Sequence, residues 1–407
     1  MTRRTALGLA AINLILIALV AWFSATVLLP PRGERFDFVP HWVGGRAIWA
    51  GQTPYTDAMT ARIQVEMFGS TLPPEVDQQR MAYPAYVAWL IAPLLLISAP
   101  AAIALWTALQ LVAMLWLPMI WVSLLQWRLP GLALVGLIFG LIFAFRYPIN
   151  VYVLGQFTGT LAILLTIGIW CLLRGYDIAA GLLFVCASVP PTVSVPLALL
   201  ILGRYALAGR WRGLATYVFG LALLVGATIV QIGWWIPDFV RTLIAYSGYS
   251  HPVWPPLVFG SPAIAIGVVA IVSGVGLWLG RRLWQPFDRS HQLRWAITVL
   301  LLCLLLIPQT GNYNQLLIVP PVLGCLALAR TLPRRGRWLT WAACTLILAS
   351  SWLYFIWGAQ GYVGTHWETL LIPLPLFLVW GALNLSAAKA LTPTPFPKAR
   401  GFQPEGN

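Results

Sequence analysis

The feature that most constrains this chain is the length of its charge-free runs. No Asp, Glu, Lys or Arg occurs in 81–127, 129–145, 147–173, 178–203, 213–237, 242–280, 295–329, 338–367 or 369–388. A helix needs about 20 predominantly apolar residues to cross the hydrocarbon of a bilayer. Hydrophobic residues make up 60% of the 407 and charged residues 9%, where a soluble domain carries about 25% charged. Water is therefore not the main solvent of this chain. A disordered chain, a coiled coil and a disulfide scaffold are excluded on the same grounds. The five cysteines (Cys171, Cys186, Cys303, Cys325, Cys344) lie inside apolar runs without metal spacing and read as small core residues. The expectation is an all-α polytopic membrane protein.

The net charge is +14, from 25 basic and 11 acidic residues. Such basicity can signal nucleic acid, but no basic stretch is long enough to track phosphates. Arginines instead punctuate the apolar runs: Arg128, Arg174, Arg204/Arg210/Arg212, Arg281/Arg282/Arg289/Arg294 and Arg330/Arg334/Arg335/Arg337. Short basic loops of this kind are retained on the cytoplasmic side. Six of the 11 acids (Glu34, Asp37, Asp57, Glu66, Glu75, Asp77) fall in 31–82, a segment whose net charge is −1. That loop belongs on the opposite side.

Arg3 and Arg4 precede an uncharged run, Thr5 to Pro31, which is too long for the apolar region of a signal peptide and reads as a retained first helix. Placing all basic clusters on one side requires an even number of spans between them. From 213 onward the pairs 214–236 with 259–280, 295–308 with 313–329, and 338–357 with 369–386 satisfy this. Upstream, two readings remain. Either 83–98 is re-entrant or interfacial and 178–203 is a hairpin broken at Pro190-Pro191, or 83–98 spans and 178–203 is one helix. Both give about 12 transmembrane helices with both termini cytoplasmic; the first also keeps Arg128 and Arg174 inside. The expected organisation is a single transmembrane domain over 1–388, with 31–82 as a long first extracytoplasmic loop. The Pro-rich tail 389–407 reads as disordered and cytoplasmic.

Chemistry is expected in the first outer loop, which is far longer than a simple connection. Trp42, Ala47, Ile48 and Trp49 suggest an interfacial helix before a Gly51-Gln52 turn, and Asp57 reads as the N-cap of a second helix over 58–68. Asp37 stands between Phe36 and Phe38 directly after the first span, where lipid-borne substrates arrive. Partial desolvation there would raise its pKa toward that of a working general base. The alternative for Asp37 is a solvated acid paired with Arg35. Arg46 and Arg80 could hold a phosphate or balance the loop acids. Glu75 and Asp77 read as solvated charge, and His41 equally as loop filler or site group. Farther on, Arg146, Asn150 and Gln156 interrupt two apolar runs. His251 lies in an outer loop, and Gln309, Asn312, Tyr313, Asn314 and Gln315 fall between two late spans. No Walker A loop, GxSxG, HExxH or His/Cys metal pattern occurs, so no metal or other cofactor is expected.

Asp37-Phe38, His41-Trp42, Ala47, and Gly51-Gln52 leading to Pro54-Tyr55 and Asp57 resemble the DF…YW…A…L…G…PYD signature of glycosyltransferase family 87. Tyr83-Pro84 with Pro93-Leu94 resembles its YPP…PL element, Gly155-Gln156 its GQ element, and Pro308 to Pro320 its late polar segment. The chain departs from the family's Lys-Pro at Pro190-Pro191, and from its late His at Asn312-Tyr313-Asn314.

The resemblance implies a GT-C-type fold and a polyprenol-phosphate-mannose-dependent mannosyltransferase. A hexose would pass from a polyprenyl-phosphate-sugar donor to a hydroxyl of a lipid-linked glycan or glycolipid. Transfer would be inverting and metal-independent, at the extracytoplasmic face of the plasma membrane. Asp37 would be the catalytic base. Substrate would be bound by Arg46, Asp57, Arg80, Tyr83, Arg146, Gln156, His251, Asn312, Tyr313 and Asn314, with Arg146, Arg80 and Arg46 the candidates, in that order, for the donor phosphate. Besides these substrates the partner is membrane lipid; no nucleic acid and no protein partner is inferred. Rival readings are a lipid or small-molecule transporter or flippase, a lipid-linked glycan polymerase or ligase, and a non-catalytic scaffold. The spans lack the midplane charges of a transporter, and a polymerase or ligase would place its large loop later in the chain.

Overall fold

A computed structural model describes residues 3–32, 36–250, 254–258, 260–285, 287–308, 312–359 and 367–390. Among the described residues there is no β-strand. The chain opens on α1 (Arg3–Phe23), which continues through a π turn at Ser24–Leu28 into α2 (Leu29–Arg32). This is the long first helix expected from the uncharged run. Most of its side chains are exposed, as suits a helix facing lipid. The π turn turns Ser24 inward, where its hydroxyl accepts from Thr107 (3.1 Å) and hydrogen-bonds the Tyr152 hydroxyl (2.9 Å). A π turn commonly marks such a local polar insertion.

The 31–82 segment contributes two helices, α3 (Val39–Trp49) and α4 (Asp57–Phe68). Thr56, in extended backbone (φ −100°, ψ 156°), caps α4 by accepting from Met59 N at 3.1 Å. Asp57 is thus the first residue of the helix rather than its cap. α4 buries one stripe (Met59, Thr60, Ile63, Gln64, Met67), whereas α3 is buried on nearly every side, leaving Arg46 and Trp49 out. The expected amphipathic pattern of α3 is absent because the next segment covers it. Residues 83–98 fold back as two single turns, α5 (Val87–Leu90) and α6 (Ala92–Leu95), and Trp42 Nε1 donates to Leu94 O (3.1 Å). At four residues each these turns are too short to span.

The membrane bundle follows: α7 (Ala99–Leu124), α8 (Gly131–Phe143), α9 (Arg146–Leu154), α10 (Thr158–Leu173), α11 (Asp177–Cys186), α12 (Pro191–Leu207) and α13 (Arg212–Ile232). After α14 (Ile236–Ser250), which occupies an expected outer loop, come α15 (Pro262–Trp284), α16 (Arg289–Leu306) and a 3₁₀ turn at Asn312–Ile318. The chain ends with α17 (Val319–Ala329), α18 (Arg334–Ala359), α19 (Glu368–Leu371) and α20 (Pro373–Ala390). Among the described residues six stretches are long and apolar enough to cross a membrane: Leu7–Leu28, Ala99–Leu124, Arg212–Ile232, Pro262–Trp284, Arg334–Trp357 and Glu368–Ser386. The α8–α9 pair, bent by 67°, makes a seventh if read as one span. Further crossings toward the expected 12 rest on shorter apolar helices such as α10, α11 and α12.

The segment 178–203 is divided, not continuous, with α11 and α12 separated at Ala187–Pro190. Tyr86 OH donates to Ser188 O (2.9 Å), which sets this joint against the 83–98 segment. The basic loops gather at one end of the bundle. Arg210 pairs with Asp177 and donates to Leu172 O (2.7 Å). Arg204 donates to the Trp284 and His291 carbonyls (3.3 and 3.4 Å), Arg289 to Leu124 O (3.2 Å), and Arg330 lies over the Trp127 ring. Cations at helix C-termini satisfy orphan carbonyls there. The Arg128 and Arg174 loops therefore share an end with the later basic clusters, as the hairpin reading requires.

Candidate active site

The site is built where the end of α9 meets the start of α3. Gly155 ends α9 in the left-handed region (φ +72°), which a glycine adopts without strain. The turn exposes the Leu154 carbonyl, which accepts from Asp37 N at 3.0 Å. Phe36 and Phe38 are fully buried on either side of Asp37; each such ring contributes roughly 1.5–3 kcal/mol relative to exposure in water. Phe38 stacks on Trp106 (5.0 Å, 20°), and Trp106 Nε1 donates to Gly155 O (2.8 Å). Asp37 is thus clamped at its backbone and by both neighbours. Its carboxylate accepts a hydrogen bond from the Gln156 amide, which is itself buried. Alternation along the chain sends the two phenylalanines inward and leaves the carboxylate in a cavity.

That cavity, of about 110 Å³, is lined by Asp37, His41, Arg80, Tyr83, Gln156, Tyr246 and Tyr313 among others. It draws residues from the first outer loop, the α9–α10 turn, α14 and the late 3₁₀ turn. Tyr83 and His41 form an edge-to-face pair (4.2 Å), and Phe157 closes on both (5.5 and 4.9 Å). Burial drives the His41 pKa down from 6.5 to about 3, so its imidazole is neutral. Its buried Nδ1 has no hydrogen-bond partner. Burial also pushes the Tyr83 phenol well above its ordinary value, reinforced by Tyr313, Tyr246 and the Asp37 charge. Both rings remain neutral hydrogen-bonding groups. Arg80 is the arginine in the lining; it pairs with the exposed Asp57 at 2.9 Å and also borders a second cavity of about 320 Å³ with Tyr55, Asp238 and Arg241.

Other expected site residues lie elsewhere. Arg146 is buried at the start of α9 and pairs with buried Glu368 at 3.2 Å, between the Tyr147 and Phe355 rings. At 1.5 Å per residue it stands about 12 Å along the helix from the turn that holds Asp37. Arg46 lies over the Trp42 ring (4.8 Å) and does not line the cavity. Asn314 is buried and accepts from Thr158 Oγ1 at 3.3 Å, a tether between the 3₁₀ turn and α10. His251 and the Asn312 side chain lie outside the described residues, as do Glu34 and Arg35. Asp77, expected as solvated charge, and Tyr246 join the lining, as does His41, for which loop filler and site group were equal expectations. Among the described residues no group of three His, Cys, Asp or Glu side chains is arranged to hold a metal ion.

Residues 82–249 match the family model of glycosyltransferase family 87. The match takes in Tyr83, Gln156 and Tyr246 of the cavity; Asp37, His41 and Arg80 precede it. No curated protein matches the chain.

Proposed function

We propose that this chain, a membrane glycosyltransferase of family 87, moves a hexose, in the first instance mannose, from a polyprenyl-phosphate-sugar to a hydroxyl of a lipid-linked glycan or glycolipid. The observation that carries the reading is the Asp37 carboxylate held by Gln156 inside a cavity that also presents His41, Tyr83, Tyr313, Asp77 and the Arg80 guanidinium. Asp37 takes the proton of the acceptor hydroxyl as that oxygen attacks the anomeric carbon. The new C1–O bond forms while the bond from C1 to the phosphate oxygen breaks, and polyprenyl phosphate leaves with the electron pair. Attack opposite the leaving group inverts the anomeric centre.

A general base must sit within hydrogen-bond reach of the proton it removes, and must be oriented. The Gln156 amide supplies orientation without supplying a competing proton acceptor. Arg80 is the guanidinium suited to the developing phosphate charge, since it lines the same cavity. This replaces Arg146 as the first candidate, because Arg146 is already neutralised by Glu368. A phosphate monoester leaving group stabilised in this way needs no metal.

The sidedness is part of the same proposal. Basic loops gather at the end of the bundle away from Asp37, and such loops are retained in the cytoplasm. The cavity then faces the outside of the plasma membrane. Counting α1, α7, α8, α10 to α13, α15 to α18 and α20 as crossings gives the expected 12, with both termini inside. The test is transfer by purified protein in liposomes with polyprenyl-phosphate-mannose, -glucose and -arabinose and a native lipid extract. Product with wild type and none with Asp37→Asn supports the reading; near-normal turnover by that variant sinks it.

A further inference from the structure

At the opposite end of the bundle, α7, α16, α17 and α20 surround a cavity of about 450 Å³ that the transfer reaction does not use. α16 relates the two cavities. It starts at the basic cavity with Arg289 and ends just before the 3₁₀ turn that brings Tyr313 to Asp37. Its 18 residues rise about 27 Å, close to the hydrocarbon thickness of about 30 Å. α7 gives the same distance independently: Trp106 packs at the Asp37 site, and Leu124, 18 residues on, lines the basic cavity.

The lining is amphiphilic. Leu125, Ile297, Leu328 and Trp380 form apolar walls, and Arg289 and Arg294 supply charge. The nearby Asp288 carboxylate is engaged by His291, through its backbone N–H (2.9 Å) and its ring (3.0 Å). Arg289 donates to Leu124 O while its buried Nε has no partner. Gln126, also in the lining, takes the left-handed cap of α7 (φ +52°), with Gln126 N donating to Ser123 O (3.1 Å) and Trp127 N to Val122 O (2.9 Å). The site thus offers two guanidinium groups against one carboxylate beside a groove whose accessible surface is alkyl, from Leu125, Ala327 and Leu328. Basic pockets between membrane helices suit anionic headgroups.

We propose that this cavity binds an anionic phospholipid, its phosphodiester on Arg289 and Arg294 and an acyl chain along Leu125, Ala327 and Leu328. The site is separate from the Asp37 cavity, and the proposal does not depend on the sugar or acceptor used there. Bound lipid would tie the end of α7 to the start of α16, two helices that also frame the catalytic end.

The test is native mass spectrometry of the full chain released from vesicles of phosphatidylglycerol, of phosphatidylcholine, or of phosphatidylglycerol with inorganic phosphate. Wild type should retain one tightly held phosphatidylglycerol that phosphatidylcholine does not replace. With Arg289→Gln and Arg294→Gln combined, its affinity should fall about thirtyfold (~2 kcal/mol), at ~1 kcal/mol per arginine. Arg334→Gln with Arg335→Gln, outside the cavity, should change nothing. Should the first double variant not fold, Ala327→Phe fills the groove with both arginines kept and should also expel the lipid. Equal retention of the two lipids, or unchanged retention in the cavity variants, overturns the proposal. Displacement of the lipid by inorganic phosphate alone would make this a site for soluble anions and overturn it equally.

Discussion

Gln156 donates its side-chain amide to the carboxylate of Asp37 across 119 residues of sequence. The bond joins the turn after α9 to Asp37, two residues before α3. Asp37 is held at its backbone by Leu154 as well, so both its position and its orientation depend on one short turn. Removing the proton acceptor and removing its orienting group should therefore differ in degree. Asp37→Asn should abolish transfer. Gln156→Leu should lower kcat about ten- to a hundredfold, or ~1.4–2.7 kcal/mol, with little change in donor KM. Steady-state kinetics on both variants check this; equal and complete loss would place Gln156 in the reaction itself.

Arg80 and Arg146 should separate by phenotype. Arg80 is partly exposed, and its pairing with exposed Asp57 contributes little to stability. Arg80→Gln should leave the melting temperature near wild type and raise donor KM or lower kcat. Arg146→Gln removes the cation beside buried Glu368, and breaking such a buried pair costs about 3–5 kcal/mol. Thermal unfolding in detergent should show a large loss for that variant and substantial recovery when Glu368→Gln is added.

His41 gives a pH prediction with a definite sign. Its folded pKa of about 3 lies below the ordinary 6.5, so between those values the unfolded chain holds the extra proton. Stability then rises with pH through that window and is lost as pH falls from 6.5 toward 3. His41→Phe removes this contribution, and its stability should fall less steeply between pH 6.5 and 4. Measuring melting temperature against pH for both proteins tests it. Parallel curves would mean that the imidazole is solvated.

Gly155→Ala tests the clamp. A Cβ there would find only ordinary contacts, 3.6 Å to Phe36 and Phe38, so space is available and the positive φ alone is at issue. A non-glycine residue in the left-handed region costs about 1–2 kcal/mol. The variant should melt lower and lose part of its kcat without change in donor KM. Full activity would show that the turn can relax without moving Asp37.

Much of the fold was legible because membrane insertion writes itself into composition. Charge-free runs located the helices, and arginine placement grouped the loops that Arg204, Arg210 and Arg289 hold at one end. Asp37 was singled out from its position after the first span and Gln156 from the family resemblance, but nothing in the sequence tied the one to the other. Pairings across the chain were not legible. The partner of Arg146 is 222 residues away, and nothing local marks Glu368 as buried. His41 reads equally as loop filler or site group until Tyr83 and Phe157 enclose it. Thr56 and Asp57 are both good cap residues, and only backbone geometry selects Thr56.

Helix α14 touches the Asp37 cavity through Tyr246 and the neighbouring cavity through Asp238 and Arg241, while much of its surface stays outside the core. The wall that an incoming sugar chain would meet is therefore carried on a different element from the base and its clamp. Variation along α14 could retune which glycans are accepted while the proton-transfer geometry stays fixed. Such a division gives this architecture room for new specificities to evolve at low risk to catalysis, and makes α14 the first place to randomise in an engineering library.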